Sequence, residues 1–193
     1  MSTRVLVIPE DFVHDQYILK PILEVLVCNA GIKPKLQVCQ APRLCGVSEA
    51  LKWDRLKSIL DMYRMCDLFL LVVDRDANEG RAERLANLEE LSRAHLAEHG
   101  RGAKFLAAQG WQEIEVWVLA GMSDLPKEWA WTAVRAHRDP KEAYFRPYAE
   151  MRGVEMGPSG GRKALGVEAG RQYRRIRSRC DEVRELESRV AAL

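Results

Sequence analysis

Short, unbroken apolar runs separated by longer segments of helical period constrain this chain more than any other feature. The run from Leu68 to Val73 is apolar at every position, and such a run indicates a strand that is covered on both faces. Strands that alternate with helices are typical of a parallel sheet with helices packed on both sides. The runs predicted as strands are Val5–Ile8, Leu36–Cys39, Leu68–Val73 and Lys104–Ala108. We therefore expect an α/β fold with a Rossmann-like, mostly parallel sheet.

The segments between these runs carry apolar residues at helical spacing. Pro21 falls inside the first segment, where it predicts either a kink or a helix that begins near Lys20. The predicted helices span Phe12–Asn29, Ser48–Tyr63, Ala82–His99 and Glu113–Ala120, with one or two further helices in residues 164–193. We expect an α/β domain in residues 1–125 and a helical C-terminal extension in residues 126–193 that packs on the same domain.

The composition favours a cytoplasmic protein. No apolar run approaches the ~20 residues that a membrane-spanning helix requires. The N-terminal apolar run Val5–Ile8 is too short for the core of a signal peptide, and no small-residue cleavage site follows it. The five cysteines are odd in number and scattered, which predicts reduced thiols. We therefore expect no membrane partner.

Acidic residues follow two of the predicted strands. Glu10 comes two residues after Ile8, and Asp74 and Asp76 follow Val73. Ligands of open parallel sheets bind beyond the carboxyl ends of the strands, and if the backbone stays extended, Asp74 and Asp76 face the same side. Close carboxylates repel one another unless a cation lies among them, and their hard oxygens suit Mg²⁺ or Mn²⁺. The alternative is that these acids only cap helices and turns.

Three motifs occur in a fixed order along the chain: Val5–Glu10, Leu70–Asp76 and Gln112–Ala120. Together they resemble the TOPRIM fold, in particular a bacterial TOPRIM-like family of unassigned function related to the OLD-family nucleases. The tail from Gly161 onward looks similar as well. The resemblance implies Mg²⁺- or Mn²⁺-dependent phosphodiester cleavage, with Glu10 as metal ligand and proton-handling residue and with Asp74 and Asp76 as metal ligands. TOPRIM proteins usually place Gly directly after the motif glutamate, where this chain has Asp11.

The third motif contributes two glutamates, Glu113 and Glu115. A helix separates side chains at this spacing by about 200°, so only one of them is expected to face the site. We select Glu113 as the further metal ligand. The alternative is that both belong to a solvated helix face.

The C-terminal part of the chain is basic. Residues 1–126 hold 15 Lys+Arg and 18 Asp+Glu, a net charge of −3, and residues 127–193 hold 15 and 10, a net charge of +5. Cations beside an acidic metal site would neutralise phosphate charge and stabilise a transition state. We predict Lys163 as a catalytic residue, and the predicted nucleic-acid-binding residues are Arg162, Arg174, Arg175 and Arg177. The alternative is an ordinary exposed basic helix.

Two functions therefore remain open. The first is metal-dependent cleavage of nucleic acid, in a bacterial defence or DNA-repair system. The second is a catalytically silent module that binds a partner ATPase, and the junction between Glu10 and Asp11 together with metal dependence distinguishes them.

The histidines and tryptophans carry weaker signals. His95 and His99 are four residues apart but lack the glutamate that a zinc protease places after the first histidine, so we interpret them as surface residues. Trp129 and Trp131 fit either base stacking or a small subsidiary core.

Overall fold

A computed structural model describes residues 2–193 of the chain, so residue 1 lies outside the described residues. It contains a four-stranded sheet in which all neighbouring strands are parallel, in the order β2-β1-β3-β4. The strands are β1 (Thr3–Pro9), β2 (Pro34–Val38), β3 (Leu68–Asp74) and β4 (Lys104–Gly110). All four predicted strands and the parallel arrangement are confirmed.

Helices cover both faces of the sheet, as in Rossmann-like folds. Alternate strand residues feed two cores: Val5 and Val7 point to one face, and Leu6 and Ile8 to the other. The first face is covered by α1, α5 and the helices that follow α5, and the second by α3 and α4. The helices are α1 (Gln16–Asn29), α2 (Val47–Ala50), α3 (Trp53–Met62), α4 (Arg81–Glu98), α5 (Glu115–Gly121), α6 (Trp131–Ala136), α7 (Arg146–Met151), α8 (Arg162–Arg171), α9 (Tyr173–Arg179) and α10 (Asp181–Ala191), with a π-helical turn over Lys141–Phe145 before α7.

The helix boundaries differ from the sequence prediction in several places. The segment predicted as Ser48–Tyr63 is two helices, because the backbone of Lys52 is extended (φ −81°, ψ 125°). The tail forms three helices instead of one or two. Helix α1 does not begin near Lys20, since Pro21 lies inside it. None of the helices within residues 2–193 combines the length and the hydropathy that a bilayer crossing requires.

Pro21 shapes the packing of the C-terminal helices. Proline has no N–H, so the carbonyl of Tyr17, four residues earlier, receives no helical hydrogen bond from it. Helix α8 packs against this point: a Cβ added to Gly166 would lie 2.1 Å from the Tyr17 carbonyl oxygen, and one added to Gly170 would lie 2.9 Å from the carbonyl oxygen of Pro21. Only glycine therefore allows α8 to lie this close to α1.

Side chains engage the backbone of the outer strand β4. The N–H of Ala107 donates to Oε1 of Glu89 over 2.6 Å, and its carbonyl accepts from a guanidinium nitrogen of Arg189 over 3.0 Å. Arg189 and Glu89 also form an ion pair. This clamp joins α4 and α10 across the edge of the sheet.

Candidate metal centre

A pocket of about 420 Å³ opens at the carboxyl edge of the sheet. The strand register places Pro9 level with Val72 and Asp74 level with Gly110, so β1, β3 and β4 all end beside it. Six carboxylates and three permanent cations are among its lining residues. The carboxylates are Glu10, Asp11, Asp15, Asp74, Glu113 and Glu115, and the cations are Lys141, Arg146 and Arg162.

Glu10 and Asp74 meet as the sequence predicts. The backbone N–H of Asp74 donates to Oε2 of Glu10 over 3.2 Å. Oδ1 of Asp74 in turn accepts from the backbone N–H of Ile114 over 2.8 Å. These two hydrogen bonds connect the loops that follow β1, β3 and β4, and they fix both carboxylates at the pocket.

The carboxylates of Glu10 and Asp74 both have raised pKa values and tend to stay protonated. Burial raises the pKa of Glu10 from 4.5 to about 7, with the hydrogen bond from Asp74 opposing the rise and Asp76 and Glu115 adding to it. Burial, followed by the negative charges of Glu115, Glu10 and Asp15, raises the pKa of Asp74 well above its ordinary value. A bound cation would reverse these effects, because opposite charge favours the ionised form.

The pocket also contains three acids that the sequence analysis did not select as site residues: Asp11, Asp15 and Glu115. Asp15 lies just before α1, and its Oδ2 accepts from the N–H of Asp11 over 3.0 Å. Burial, followed by the charges of Glu115 and Glu10, raises the pKa of Asp15 to about 8. Glu115 is 2% exposed and is the first residue of α5. The spacing of apolar residues did not predict Asp15 as a site residue. Its place five residues after Glu10, next to the start of a helix, could have indicated it.

The expectation that only one of Glu113 and Glu115 can face the site is wrong. It assumed a helix from Glu113, whereas α5 begins at Glu115, so the 200° separation does not apply. Both residues line the pocket. Oε2 of Glu113 accepts from the backbone N–H of Lys141 over 2.7 Å, and burial raises the pKa of Glu113 to about 7 despite this hydrogen bond.

Asp76 does not converge with Asp74 in the predicted way. Strand β3 ends at Asp74, and Asp76 adopts a left-handed backbone (φ 51°), so the side chains no longer alternate. The N–H of Asp76 donates to the carbonyl of Gln112 over 3.1 Å, which pulls the loop toward β4. The Asp76 side chain is 47% exposed, 3.5 Å from the guanidinium of Arg81, and outside the pocket lining. Its role as a metal ligand stays a prediction.

The glycine-rich loop before α8 delivers a cation to the pocket. Ser159, Gly160 and Gly161 all adopt left-handed backbones, with φ of 57°, 65° and 85°, and glycine accepts this conformation most readily. The loop turns Arg162 inward, where two of its guanidinium nitrogens donate to Oε1 of Glu115. A third donates to the carbonyl of Ser159 over 3.1 Å. Arg162 is thus the one predicted basic residue that this pocket contains.

The other predicted basic residues lie elsewhere. Lys163 is exposed and outside the pocket lining, as are the α9 arginines. Arg175 donates to the carbonyl of Met122 over 2.9 Å, Arg177 donates to Oε1 of Glu187 over 2.6 Å, and Arg174 is exposed. α9 therefore does not bring its arginines to the acidic pocket, where Lys141 and Arg146 lie instead.

The two tryptophans of the irregular region pack against protein. Trp129 and Trp131 are partly buried against the first core. Trp129 meets Tyr144 edge to face with ring centroids 5.2 Å apart, and the guanidinium of Arg179 lies 5.3 Å above the Trp131 ring. These contacts favour the subsidiary-core interpretation over base stacking.

The pocket offers the carboxylate oxygens that a divalent cation prefers. Among residues 2–193, however, no three of its acids hold ligand oxygens within 4.8 Å of one another, so their side chains would have to move to bind one. When all groups are ionised, six carboxylates and three cations leave an excess of three negative charges, and Arg146 is already paired with Glu142. Carboxylate oxygens are the ligands that Mg²⁺ and Mn²⁺ prefer. Searches of protein-family models, of curated proteins and of solved structures found no match to this chain. The function must therefore be argued from the chemistry of the pocket.

Proposed function

We propose that this chain is a TOPRIM-like, Mg²⁺- or Mn²⁺-dependent nuclease whose active site is the acidic pocket. One observation carries the proposal. Carboxylates from the ends of β1 and β3 and from the start of α5 crowd into one pocket, where burial raises the pKa of Glu10 to about 7. Close carboxylates repel one another and destabilise the folded protein. A bound metal would remove that repulsion, so a metal-binding role explains why the acids lie together.

Glu10, Asp74 and Glu115 are the proposed metal-holding residues, with Glu113 as a further candidate, and the role of Asp76 as a ligand stays a prediction. When bound, the metal would supply Lewis-acid stabilisation of a phosphodiester oxygen and a more acidic water. Metal ligation requires the ionised carboxylates, so binding should release protons.

Glu10 is the proposed proton-handling residue. A group is most effective in general acid–base catalysis when its pKa lies near the working pH, and the raised pKa of Glu10 meets that condition. Its hydrogen bond from the Asp74 amide fixes one carboxylate oxygen. The other oxygen stays available for a proton or for a metal.

The cations of the pocket are the proposed contacts to the substrate backbone. Arg162 is held in place by Glu115 and by the carbonyl of Ser159, so its guanidinium is pre-oriented. Lys141 and Arg146 line the same pocket. Such cations neutralise phosphate charge and stabilise charge that develops during phosphoryl chemistry. Lys163 follows Arg162 in the sequence but is exposed and outside the pocket lining, and its catalytic role stays a prediction.

A direct cleavage assay tests this function. End-labelled DNA and RNA, single- and double-stranded, are incubated with the protein in Mg²⁺, Mn²⁺ or EDTA, and Asp74→Asn is compared with Glu150→Gln, which removes an exposed acid on α7. We expect metal-dependent cleavage by the wild type and by Glu150→Gln, and none by Asp74→Asn. Equal cleavage by Asp74→Asn would indicate a contaminating nuclease.

The second candidate function is a silent module that binds a partner ATPase. The observation in its favour is that Arg162 already neutralises Glu115 inside the pocket, which reduces the need for a metal. If a neighbouring gene encodes an ATPase, co-purification with it tests this candidate, and a wild-type protein without metal-dependent cleavage, alone or with that ATPase, would support it.

A further inference from the structure

Side chains of the types that ligate metals also cluster at the C-terminal end of α4, away from the acidic pocket. His95, Glu98 and His99 offer ligand atoms that all lie within 4.8 Å of one another. His95 and His99 are one helical turn apart, and their ring centroids are separated by 4.3 Å. The prediction that both are surface residues is wrong for His95, which is 6% exposed.

Hydrogen bonds determine which nitrogen of each ring carries the proton. Nδ1 of His99 lies 2.8 Å from the carbonyl oxygen of His95. A carbonyl only accepts, so Nδ1 carries the proton and Nε2 of the neutral ring keeps its lone pair. Nε2 of His95 lies 2.9 Å from Oδ1 of Asp61. An ionised carboxylate only accepts, so Nε2 of His95 donates to Asp61 and Nδ1 of the neutral ring keeps its lone pair.

Each neutral imidazole therefore has one nitrogen that donates a hydrogen bond and one that keeps its lone pair. Metal-binding histidines characteristically donate the other ring N–H to a carboxylate or a carbonyl, which orients the ring and increases its basicity. Asp61 does this for His95 from α3, and the carbonyl of His95 does it for His99. Both histidines therefore already have the hydrogen-bond acceptor that typically orients a metal-bound imidazole.

We infer that His95, Glu98 and His99 form a site for a Zn²⁺-class ion, with Asp61 as the positioning residue for His95. Two imidazoles and one carboxylate suit Zn²⁺, Co²⁺ or Ni²⁺, whereas Mg²⁺ prefers oxygen ligands alone. Ligands of a tetrahedral zinc are separated by about 3.3 Å when the bonds are about 2.0 Å long, so small side-chain movements suffice. Glu98 and His99 are exposed, and the ion can enter from solvent.

This site is independent of the proposed nuclease function. It lies at the end of α4, whose start follows the loop after β3, so the length of α4 separates it from the acidic pocket; 18 residues span about 27 Å. A bound ion would join the end of α4 to α3 through Asp61. The expected consequence is a metal-dependent increase in stability that does not require the acidic pocket.

Calorimetric titration with Zn²⁺ and Ni²⁺ tests the inference. The full chain is kept in millimolar Mg²⁺ throughout, so that the acidic pocket is saturated with the ion it is expected to prefer. His99→Ala removes a ligand, Asp61→Asn weakens the positioning contact, and His137→Ala is the matched control on an exposed histidine. Ni²⁺ should also quench Trp53, whose ring lies 5.9 Å from that of His95.

We expect one equivalent of Zn²⁺ or Ni²⁺ to bind the wild type and His137→Ala, and none to bind His99→Ala. Asp61→Asn should bind ~10- to 100-fold more weakly. The absence of saturable binding by the wild type, or unchanged binding by His99→Ala, would overturn the inference. Neither result would alter the proposed nuclease function, because the Mg²⁺-dependent assay does not use this site.

Discussion

The backbone amide of Asp74 donates a hydrogen bond to the carboxylate of Glu10 over 3.2 Å, and this joins the ends of two adjacent strands. The contact spans 64 residues of sequence. It exists because β1 and β3 are parallel neighbours whose carboxyl ends lie level. The same arrangement forces two buried carboxylates together, and the behaviour of the pocket follows from that.

Replacing Glu10 by Gln should separate catalysis from stability. Gln keeps an oxygen that can accept from the Asp74 amide, but it neither accepts a proton nor gives a full charge to a metal. A general acid or base contributes ~10²- to 10⁴-fold, so the rate of phosphodiester cleavage should fall by that order. The free energy of unfolding in EDTA at neutral pH should stay the same or rise, because one crowded charge is removed. A variant that unfolds more easily and cleaves normally would contradict this assignment.

The stability of the metal-free protein should fall as the pH rises. The pKa values of Glu10, Asp15 and Glu113 rise from 4.5, 3.8 and 4.5 to about 7, 8 and 7 in the folded state. Between these limits the folded protein holds protons that the unfolded chain has released. The free energy of unfolding therefore decreases from about pH 4 to about pH 8. Urea unfolding in EDTA across this range measures the slope.

Mg²⁺ should flatten this pH dependence. The ion binds only the ionised pocket and stabilises the folded state by mass action, so its effect should be largest near about pH 8 and smallest near about pH 5. Asp74→Asn should lose most of the Mg²⁺ effect. An equal Mg²⁺ effect at both pH values would argue against a carboxylate metal site.

Arg162 should stabilise the pocket in the absence of metal. Its side chain and that of Glu115 are 12% and 3% exposed, and removing one partner of a buried ion pair costs about 3–5 kcal/mol. Arg162→Met should therefore destabilise the protein in EDTA, and Mg²⁺ should restore more stability to this variant than to the wild type. Arg146→Met is the matched control, since Arg146 lines the same pocket but pairs with the exposed Glu142. Equal losses in both variants would mean that burial of the pair is unimportant.

Arg174 and Arg177, three residues apart on α9, should differ in their effects on nucleic-acid binding. Arg174 is exposed, whereas Arg177 is held by Glu187, which also accepts from the hydroxyl of Tyr173. If α9 contacts duplex DNA, Arg174→Gln should reduce the log–log salt slope of binding by about 0.9 for one lost phosphate contact. Arg177→Gln should leave the slope unchanged and lower the melting temperature. If Arg174→Gln leaves affinity and slope intact, α9 is only a solvated helix.

The close approach of α8 and α1 should make Gly166 intolerant of substitution. Alanine usually stabilises a helix relative to glycine, but here its Cβ would lie 2.1 Å from the carbonyl oxygen of Tyr17. Such overpacking costs about 1–3 kcal/mol, so Gly166→Ala should lower the free energy of unfolding. Val167→Ala, at an exposed neighbouring position, should have little effect. A stable Gly166→Ala protein would mean that the two helices separate at low cost.

Much of the fold was predictable because burial leaves a strong mark on sequence. Leu68–Val73 is apolar throughout because β3 is covered on both faces, and Glu10 and Asp74 follow from the rule that parallel strands end at one edge. The position of Asp76 was not predictable, because a hydrogen bond to Gln112 determines its backbone. Glu115 was not selected because a helix from Glu113 was assumed, whereas α5 begins at Glu115 and both glutamates line the pocket.

The clamp on Ala107 has a consequence for how this chain can associate with copies of itself. A strand added beside β4 would need the N–H and carbonyl of Ala107, but Glu89 and Arg189 already occupy both. The sheet can therefore be extended by strand addition mainly along β2, at the opposite side. Two chains that joined through β2 would each present a closed outer edge, so growth would end at a pair. Edge-to-edge polymerisation, the usual hazard of an exposed strand, is thus interrupted by two side chains.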